Sequence, residues 1–368
     1  MKIAYDAKRF FHNASGLGNY SRDLMRVLAQ FYPKNEYFLL NKNTSDRGKD
    51  VLEMPNVSFV QTSNGKLARQ FKMGKDAQNI KADIFHGLSG ELPLRWNAES
   101  NIKKIVTIHD LIFMRFPQYY SFFDRKIHFW KFKKAAQNSD KIIAISEQTK
   151  GDIVHYLNVP ESKIEVIYQG CHESFKKEPS LEQIEAVKSK FNLPERFLLN
   201  VGTIEDRKNL LSVVRALKDT GIPLVVVGKK TKYFQKIEKE IKKNNLKTQF
   251  LEGVSMEELA VIYRLADIFI YPSLFEGFGI PVIEALFSKT PVITSNLSCL
   301  PEAGGPDSLY VNPLNIEDIK AKILFLWENE AERNRRAEKG FEFVQKFNDE
   351  VIAQQVMLLY NSVVGNKS

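Results

Sequence analysis

Ile268-Phe269-Ile270-Tyr271-Pro272-Ser273-Leu274-Phe275-Glu276-Gly277-Phe278-Gly279-Ile280-Pro281-Val282-Ile283-Glu284-Ala285-Leu286 is the stretch on which the reading of this 368-residue chain turns. Ile268 to Tyr271, β-branched and aromatic, read as a short buried strand. The run stops at Pro272-Ser273, a glycine-punctuated turn follows, and an apolar-periodic helix opens near Pro281. Backbone N–H groups of Gly277, Phe278, Gly279 and the first helical turn point to an anion there, and the helix dipole adds to the attraction. Glu276 and Glu284 bracket that turn. Carboxylates repel phosphate but accept hydrogen bonds from sugar hydroxyls, at about twice the strength of a neutral pair. The arrangement therefore suits a ligand carrying both phosphates and hydroxyls. The alternative local reading, the less favoured of the two, is that both glutamates are solvated carboxylates at the ends of a helix.

Composition narrows the classes around that stretch. A chain of this length exceeds one ordinary core and suits two domains. Apolar content of 43% with 26% charged residues describes a globular protein without a disorder signature. No run approaches the roughly 20 apolar residues of a membrane-spanning helix. Met1 to Asp6 reads as a first strand, not as a signal peptide, because Asp6 and Lys8 interrupt any apolar core. Cys171 and Cys299 make neither a disulfide framework nor a metal cluster, and read as reduced thiols of a cytoplasmic protein. A net charge of +9 admits nucleic acid, anionic lipid or phosphorylated small molecules. No nucleic-acid motif accompanies it, so a lipid surface and anionic substrates remain.

Glu276 and Glu284, with seven residues between them after a strand late in the chain, also resemble the signature of the retaining, nucleotide-sugar-dependent glycosyltransferases of group 1, family 4. That resemblance implies an α/β protein of the GT-B type, two Rossmann-like domains with parallel sheets facing across a cleft. It implies an N-terminal domain over 1–172 on the acceptor side, joined by a C-terminal helix over about 353–368. The C-terminal domain, 173–352, would hold the nucleotide-sugar donor.

In the first half, Lys2 to Asp6 is a strand, and the chain then loops through Phe10 to Ser15 and past Gly16 and Gly18 into a helix marked by Leu24, Val27 and Leu28. Gly-x-Gly without a third glycine is a weak phosphate signal, and a plain turn explains it as well. In the resembled family the matching loop closes over the donor diphosphate. Lys103 to Ile108 is a strand that ends in His109-Asp110, and the carboxyl ends of strands are where open α/β sheets bind ligands. The resemblance places His109 at the 6-hydroxyl region of the donor hexose. Lys66, Arg69, Lys72 and Lys75 recur every third residue, which on one helix makes a basic stripe or an ordinary solvated face. Between Tyr119 and Lys134, seven aromatic residues interleave with Arg125, Lys126, Lys131, Lys133 and Lys134. Either the segment meets anionic lipid, or it packs its rings inward and extends its lysines to water.

In the second half, Phe197 to Val201 leads through Gly202 into Arg207-Lys208 before a helix, a polyanion site in which arginine offers a fork and lysine a mobile point charge. The resemblance assigns both to the donor diphosphate. It assigns Gly253 and Val254, at the end of a strand read over Phe250 to Val254, to the nucleobase. Glu284 would take the ribose hydroxyls and Glu276 the hexose hydroxyls. Ser255 with Glu258 is a capping box. Two or three helices follow over 316–364.

These readings converge on a retaining glycosyltransferase that moves a hexose, mannose by resemblance, from GDP-mannose to a saccharide or lipid-linked saccharide during surface-polysaccharide or lipopolysaccharide assembly. His109, Glu276, Lys208 and Arg207 are the catalytic candidates. Gly16, Gly18, Gly253, Val254, Gly277, Phe278, Gly279 and Glu284 are the donor-binding ones. No Asp-x-Asp motif or histidine cluster is present to hold a metal, so neither metal nor cofactor is expected. Peripheral contact with the inner face of an anionic membrane is expected, and nucleic acid is not. A nucleotide-sugar epimerase and a non-catalytic sugar-nucleotide-binding partner of an assembly complex are the other classes to test.

Overall fold

The structure, a computed structural model, describes residues 1–14, 16–65, 67–97 and 100–365. It divides into two compact units, Met1–Gly170 with Asn348–Ser368, and Cys171–Phe347.

The first unit is built on a parallel sheet of β1 (Lys2–Asp6), β2 (Glu36–Asn41), β3 (Val57–Gln61), β4 (Ile84–Gly87), β5 (Lys103–Ile108), β6 (Lys141–Ala144) and β7 (Ile164–Val166). Its strand order is β3-β2-β1-β4-β5-β6-β7. The second unit has β8 (Leu198–Val201), β9 (Leu224–Val227), β10 (Thr248–Leu251), β11 (Ile268–Tyr271), β12 (Val292–Ser295) and β13 (Leu309–Val311), in the order β10-β9-β8-β11-β12-β13. Each strand pair is parallel. Such sheets are covered on both faces, which is why β8, β9 and β11 are buried at every position and read as unbroken apolar runs. In both sheets the order reverses once, between β1 and β4 and between β8 and β11. Loops from the carboxyl ends of those neighbours diverge and leave a crevice, the usual ligand position in open α/β folds.

The closing helix, Asp349–Val364, belongs to the first unit. Its Ala353, Val356, Met357, Leu359 and Tyr360 join the core around Ile3, Tyr5 and Leu24. Among the described residues no helix is long and apolar enough to cross a membrane.

Several local expectations change. Lys8–His12, read as loop, is a short helix that buries Phe10 and Phe11. Gly16 and Gly18 do not precede the next helix but form its first turn, within Gly16–Phe31. The helix starts early because Arg22 Nη1 donates to the carbonyls of Phe10 (2.7 Å) and Asn13 (3.1 Å), tying the incoming loop to it. The strand read over Phe250 to Val254 is β10, which ends at Leu251, and leaves Gly253 and Val254 in the following turn. The basic row is not one helix. It breaks into Ala68–Phe71 and Met73–Asn79, and Arg69 turns inward onto Asp6 and Glu91, drawn by two largely buried carboxylates. Lys66 lies outside the described residues. The aromatic–basic segment becomes the helix Phe122–Asn138, and its apolar side chains divide between core and surface. Phe129 and Phe132 pack on the core, while Phe122, Phe123, Ile127 and Trp130 are exposed.

Candidate functional site

Two loops meet at the β8/β11 reversal. After β8, Gly202 turns the chain at φ +142°, and a short helical turn, Asp206–Lys208, ends at Asn209 in the left-handed region. Asn209 Nδ2 donates to the carbonyls of Pro272 (3.1 Å) and Pro313 (2.7 Å), which anchors this loop to the one after β11. Arg207 and Lys208 are thereby aimed at Glu276. Arg207 Nη1 lies 2.9 Å from Glu276 Oε2, and Lys208 Nζ lies 2.7 Å from Oε1. Arg207 also pairs with Glu205 at 2.7 Å. Each cation keeps 15% of its side-chain surface exposed, so neither is turned to bulk water.

Tyr271 OH (2.9 Å) and Ser273 Oγ (2.7 Å) also donate to Glu276 Oε1. Burial works to raise the pKa of this carboxyl, but Lys208 and then Arg207 outweigh it and hold it at about 2. Glu276 is therefore an ionised acceptor at neutral pH.

The turn behind it is held from below by residues that carry no sequence signal. Ser298 Oγ donates to the Glu276 carbonyl (2.8 Å), and Cys299 Sγ donates to the carbonyls of Glu276 (3.1 Å) and Phe278 (2.7 Å). Gly279 has φ +134°, and a Cβ there would sit 3.1 Å from both Ala303 Cβ and Leu300 Cδ2, so only glycine fits without strain. The helix Ile280–Phe287 follows with Pro281 in its first turn and no side-chain cap. Phe278 is buried with its ring against Phe347, so only its backbone can serve a ligand. Glu284 lies in that helix, buried, and accepts a hydrogen bond from Tyr263 OH at 3.0 Å. Gly253, at φ +70°, and Val254 lie at the end of β10, two strands from β8, and no atom stands within 4 Å of where a Gly253 Cβ would project.

In the first unit, Gly16 faces open space, whereas a Cβ on Gly18 would meet the Asn13 carbonyl oxygen at 1.9 Å. Close packing thus accounts for Gly18, and Gly16 alone has room for an approaching ligand. His109 is enclosed. The Leu88 carbonyl accepts from its Nε2 at 2.9 Å, which leaves Nδ1 as the acceptor for the Gln169 amide at 2.7 Å. The Tyr20 ring stands edge-on to it, centroids 4.6 Å apart. Burial lowers the His109 pKa to about 4 despite the Leu88 hydrogen bond, so the ring is neutral at pH 7. With both nitrogens engaged, it acts as a fixed surface and not as a proton carrier. Gln169 and Tyr20 were not recognisable in the sequence, because each partner lies far along the chain.

Among the described residues no group of three His, Cys, Asp or Glu side chains is placed to hold a metal ion. The structure therefore gathers Arg207, Lys208, Glu276 and the Gly277–Gly279 turn at one place in the second unit. It keeps His109 and Gly16 in the first.

Two family profiles match the chain: Glycosyltransferase Family 4 over residues 14–175, and Glycosyl transferases group 1 over residues 182–343. The chain is 23% identical to O-antigen chain mannosyltransferase B of Escherichia coli, over 98% of this chain and 99% of that protein. Sucrose-phosphate synthase from Thermosynechococcus elongatus superposes with a TM-score of 0.80 over 99% of both chains at 23% identity. Anabaena Alr3699/HepE in complex with UDP-glucose superposes at 0.76 over 98% of this chain and 100% of that one, at 16% identity. With two doubly wound parallel sheets and profiles that cover both units, the chain belongs to the group 1, family 4 glycosyltransferases and is a glycosyltransferase of the GT-B fold.

Proposed function

We propose that the protein is a retaining hexosyltransferase that moves mannose from GDP-mannose to a saccharide or lipid-linked saccharide of a surface polysaccharide. The observation that carries this reading is the convergence of Arg207 and Lys208 on Glu276, beside the Gly277–Gly279 turn, at the β8/β11 reversal. The mannosyltransferase name of the full-length relative favours the sugar. The UDP-glucose in a structural neighbour favours a nucleotide-sugar and keeps uridine donors in the comparison.

The diphosphate competes with Glu276 for the two cations. As the glycosidic bond breaks, charge grows on the leaving phosphate, and Arg207, Lys208 and the backbone amides of the turn stabilise it. Glu276, relieved of a cation, accepts hexose hydroxyls. Glu284 takes the ribose, and the backbone of Gly253 and Val254 meets the base. His109 and Gly16 keep the roles that the family resemblance gives them, with His109 as a neutral, fixed contact, while Gly18 lets the loop pack closely behind Gly16. The two cations supply the charge that a divalent ion would otherwise bring, so transfer proceeds in the presence of a chelator. A cytoplasmic site of action at the inner membrane face fits the Phe122–Asn138 helix. There exposed Phe122 and Phe123 stand beside Arg125 and Lys126, with Lys126 Nζ 4.4 Å from the Phe122 ring centroid.

A thermal-shift panel with GDP, UDP, ADP and their sugars tests the donor. Stabilisation by GDP and GDP-mannose above the others is expected. A preference for UDP-sugars would replace the donor, and indifference to all would remove the proposal. Product analysis by NMR separates retention from inversion, and isomer formation without acceptor would mark an epimerase. Loss of binding to anionic vesicles when Phe122 and Phe123 become serine tests the membrane contact.

A further inference from the structure

A cavity of about 190 Å³ opens beside His109 within the first unit, walled by Arg9, Glu91, Asp110, Tyr120 and Phe132 among others. It is smaller than the roughly 300–1,000 Å³ of a typical ligand pocket, which limits it to about one ring. Two features give it a chemistry. Phe113 and Phe132 stand edge to face at 5.4 Å and form an apolar wall of the kind that covers the C–H face of a sugar. Gly90, at φ +75°, leaves the room that the Phe132 ring occupies, since a Cβ there would lie 2.3 Å from it. Asp110 and Glu91 supply acceptors for hydroxyls.

The second feature is a charge without a counterpart. Asp6 and Glu91 are taken by Arg69, at 2.7 and 2.8 Å, and Lys131 lies 3.5 Å from Glu91. Among the described residues Arg9 has no ion pair, and its Nε is buried without a hydrogen-bond partner. Lys8 beside it has its pKa lowered by Arg69, by burial and by Arg9, as expected where cations crowd. A buried guanidinium edge without an acceptor is costly, and an arriving anion relieves that cost. The planar fork of arginine matches phosphate in particular.

We propose that this cavity is an acceptor subsite for a single sugar ring bearing a phosphate, which Arg9 grips while the aromatic wall covers the ring. The assignment rests on the transfer reading above, and it makes the acceptor a sugar phosphate, either free or as a lipid phosphate glycoside.

The test uses the full-length protein saturated with whichever nucleoside diphosphate stabilises it, so that the donor site is closed to the probes. Mannose and mannose 1-phosphate are titrated calorimetrically into wild type, Arg9→Gln and Arg9→Lys. The phosphate should tighten binding to wild type, and Arg9→Gln should weaken it by about ten- to a hundredfold. Arg9→Lys should recover part of the loss, and mannose itself should bind all three proteins alike. A polyprenyl phosphate mannoside in detergent micelles forms the second arm. Arg9 dependence in that arm alone names the lipid source, and dependence in both shows that the phosphate suffices. Equal binding of mannose and mannose 1-phosphate to wild type, or binding of both phosphate probes unaffected by Arg9→Gln, would overturn the subsite. Failure of every nucleoside diphosphate to bind would instead sink the transfer reading. The Arg9 comparison, then made without nucleotide, would still decide the subsite.

Discussion

Glu276 receives four donors: Lys208, Tyr271 and Ser273 on one oxygen, Arg207 on the other. Oε1 is thus fully engaged, and the one acceptor position left open is on Oε2 beside Arg207, so further hydroxyls can be accepted only as a donor leaves. In the proposed function the diphosphate draws the cations away, so its arrival should strengthen hexose recognition by Glu276. Glu276→Gln should accordingly lower the stability of the ligand-free protein. A broken buried pair costs about 3–5 kcal/mol, and partial exposure of the cations reduces that figure. Nucleoside diphosphate should then raise the melting temperature of the variant by more than it raises that of wild type, while transfer falls. Equal increments in the two proteins would contradict the coupling. The histidines give a pH prediction at the same scale. Burial holds His86 at about 3 and His109 at about 4, below the unperturbed value of about 6.5. Between those values the unfolded chain binds the extra protons, so stability is fully present above about pH 6.5 and is lost as pH falls. Each histidine should cost about 2 kcal/mol between pH 7 and pH 5. Denaturant titrations at both pH values check this, and His86→Gln should narrow the difference even if it lowers both stabilities.

The strand–turn–helix over 268–287 was legible because its signals are local: a buried run, a glycine turn, a proline in the first helical turn. Capping was legible for the same reason, and Ser255 with Glu258 forms the expected reciprocal pair. The clamp under the turn was not, because Ser298 and Cys299 reach Glu276 from 22 and 23 residues away after another strand. Nor was the inward turn of Arg69, whose spacing matched its exposed neighbours and whose carboxylates arrive from β1 and from the loop after β4. Backbone geometry makes the turn testable. Gly279→Ala combines an unfavourable φ with close contacts, at a cost of order 1–3 kcal/mol, and shifts the amides proposed above to hold the diphosphate. Gly253→Ala keeps a positive φ but projects into open space, so its melting temperature should fall less. A reversed ranking in thermal melts would show that the crowding at Gly279 is relieved by local adjustment.

At the scale of the whole chain, the last helix completes the unit that the first strand begins. Tyr360 OH meets His86 Nδ1 at 2.7 Å and Tyr5 OH at 3.2 Å, and Arg26 pairs with Asp349 at 2.9 Å. Val356, Met357, Leu359 and Tyr360 are buried there, each worth about 1.5–3 kcal/mol, a sum that rivals the roughly 5–15 kcal/mol of a typical domain. A chain ending at Phe347 should therefore lose hydrogen-exchange protection across β1 to β7 and keep it across β8 to β13. Equal protection of both sheets would show that the helix is dispensable. The alternation of strands and helices, the glycine turn with its two flanking carboxylates and the basic pair after β8 were all determined by the sequence alone. Propensity, turn chemistry and capping act within a few residues, where the order of amino acids is the order in space. Only the tertiary structure decided that β8 lies beside β11, which brings Lys208 onto Glu276 from 68 residues away, and that both His109 nitrogens are engaged. Those outcomes depend on which strand ends become neighbours, and that is set by the packing of the whole sheet.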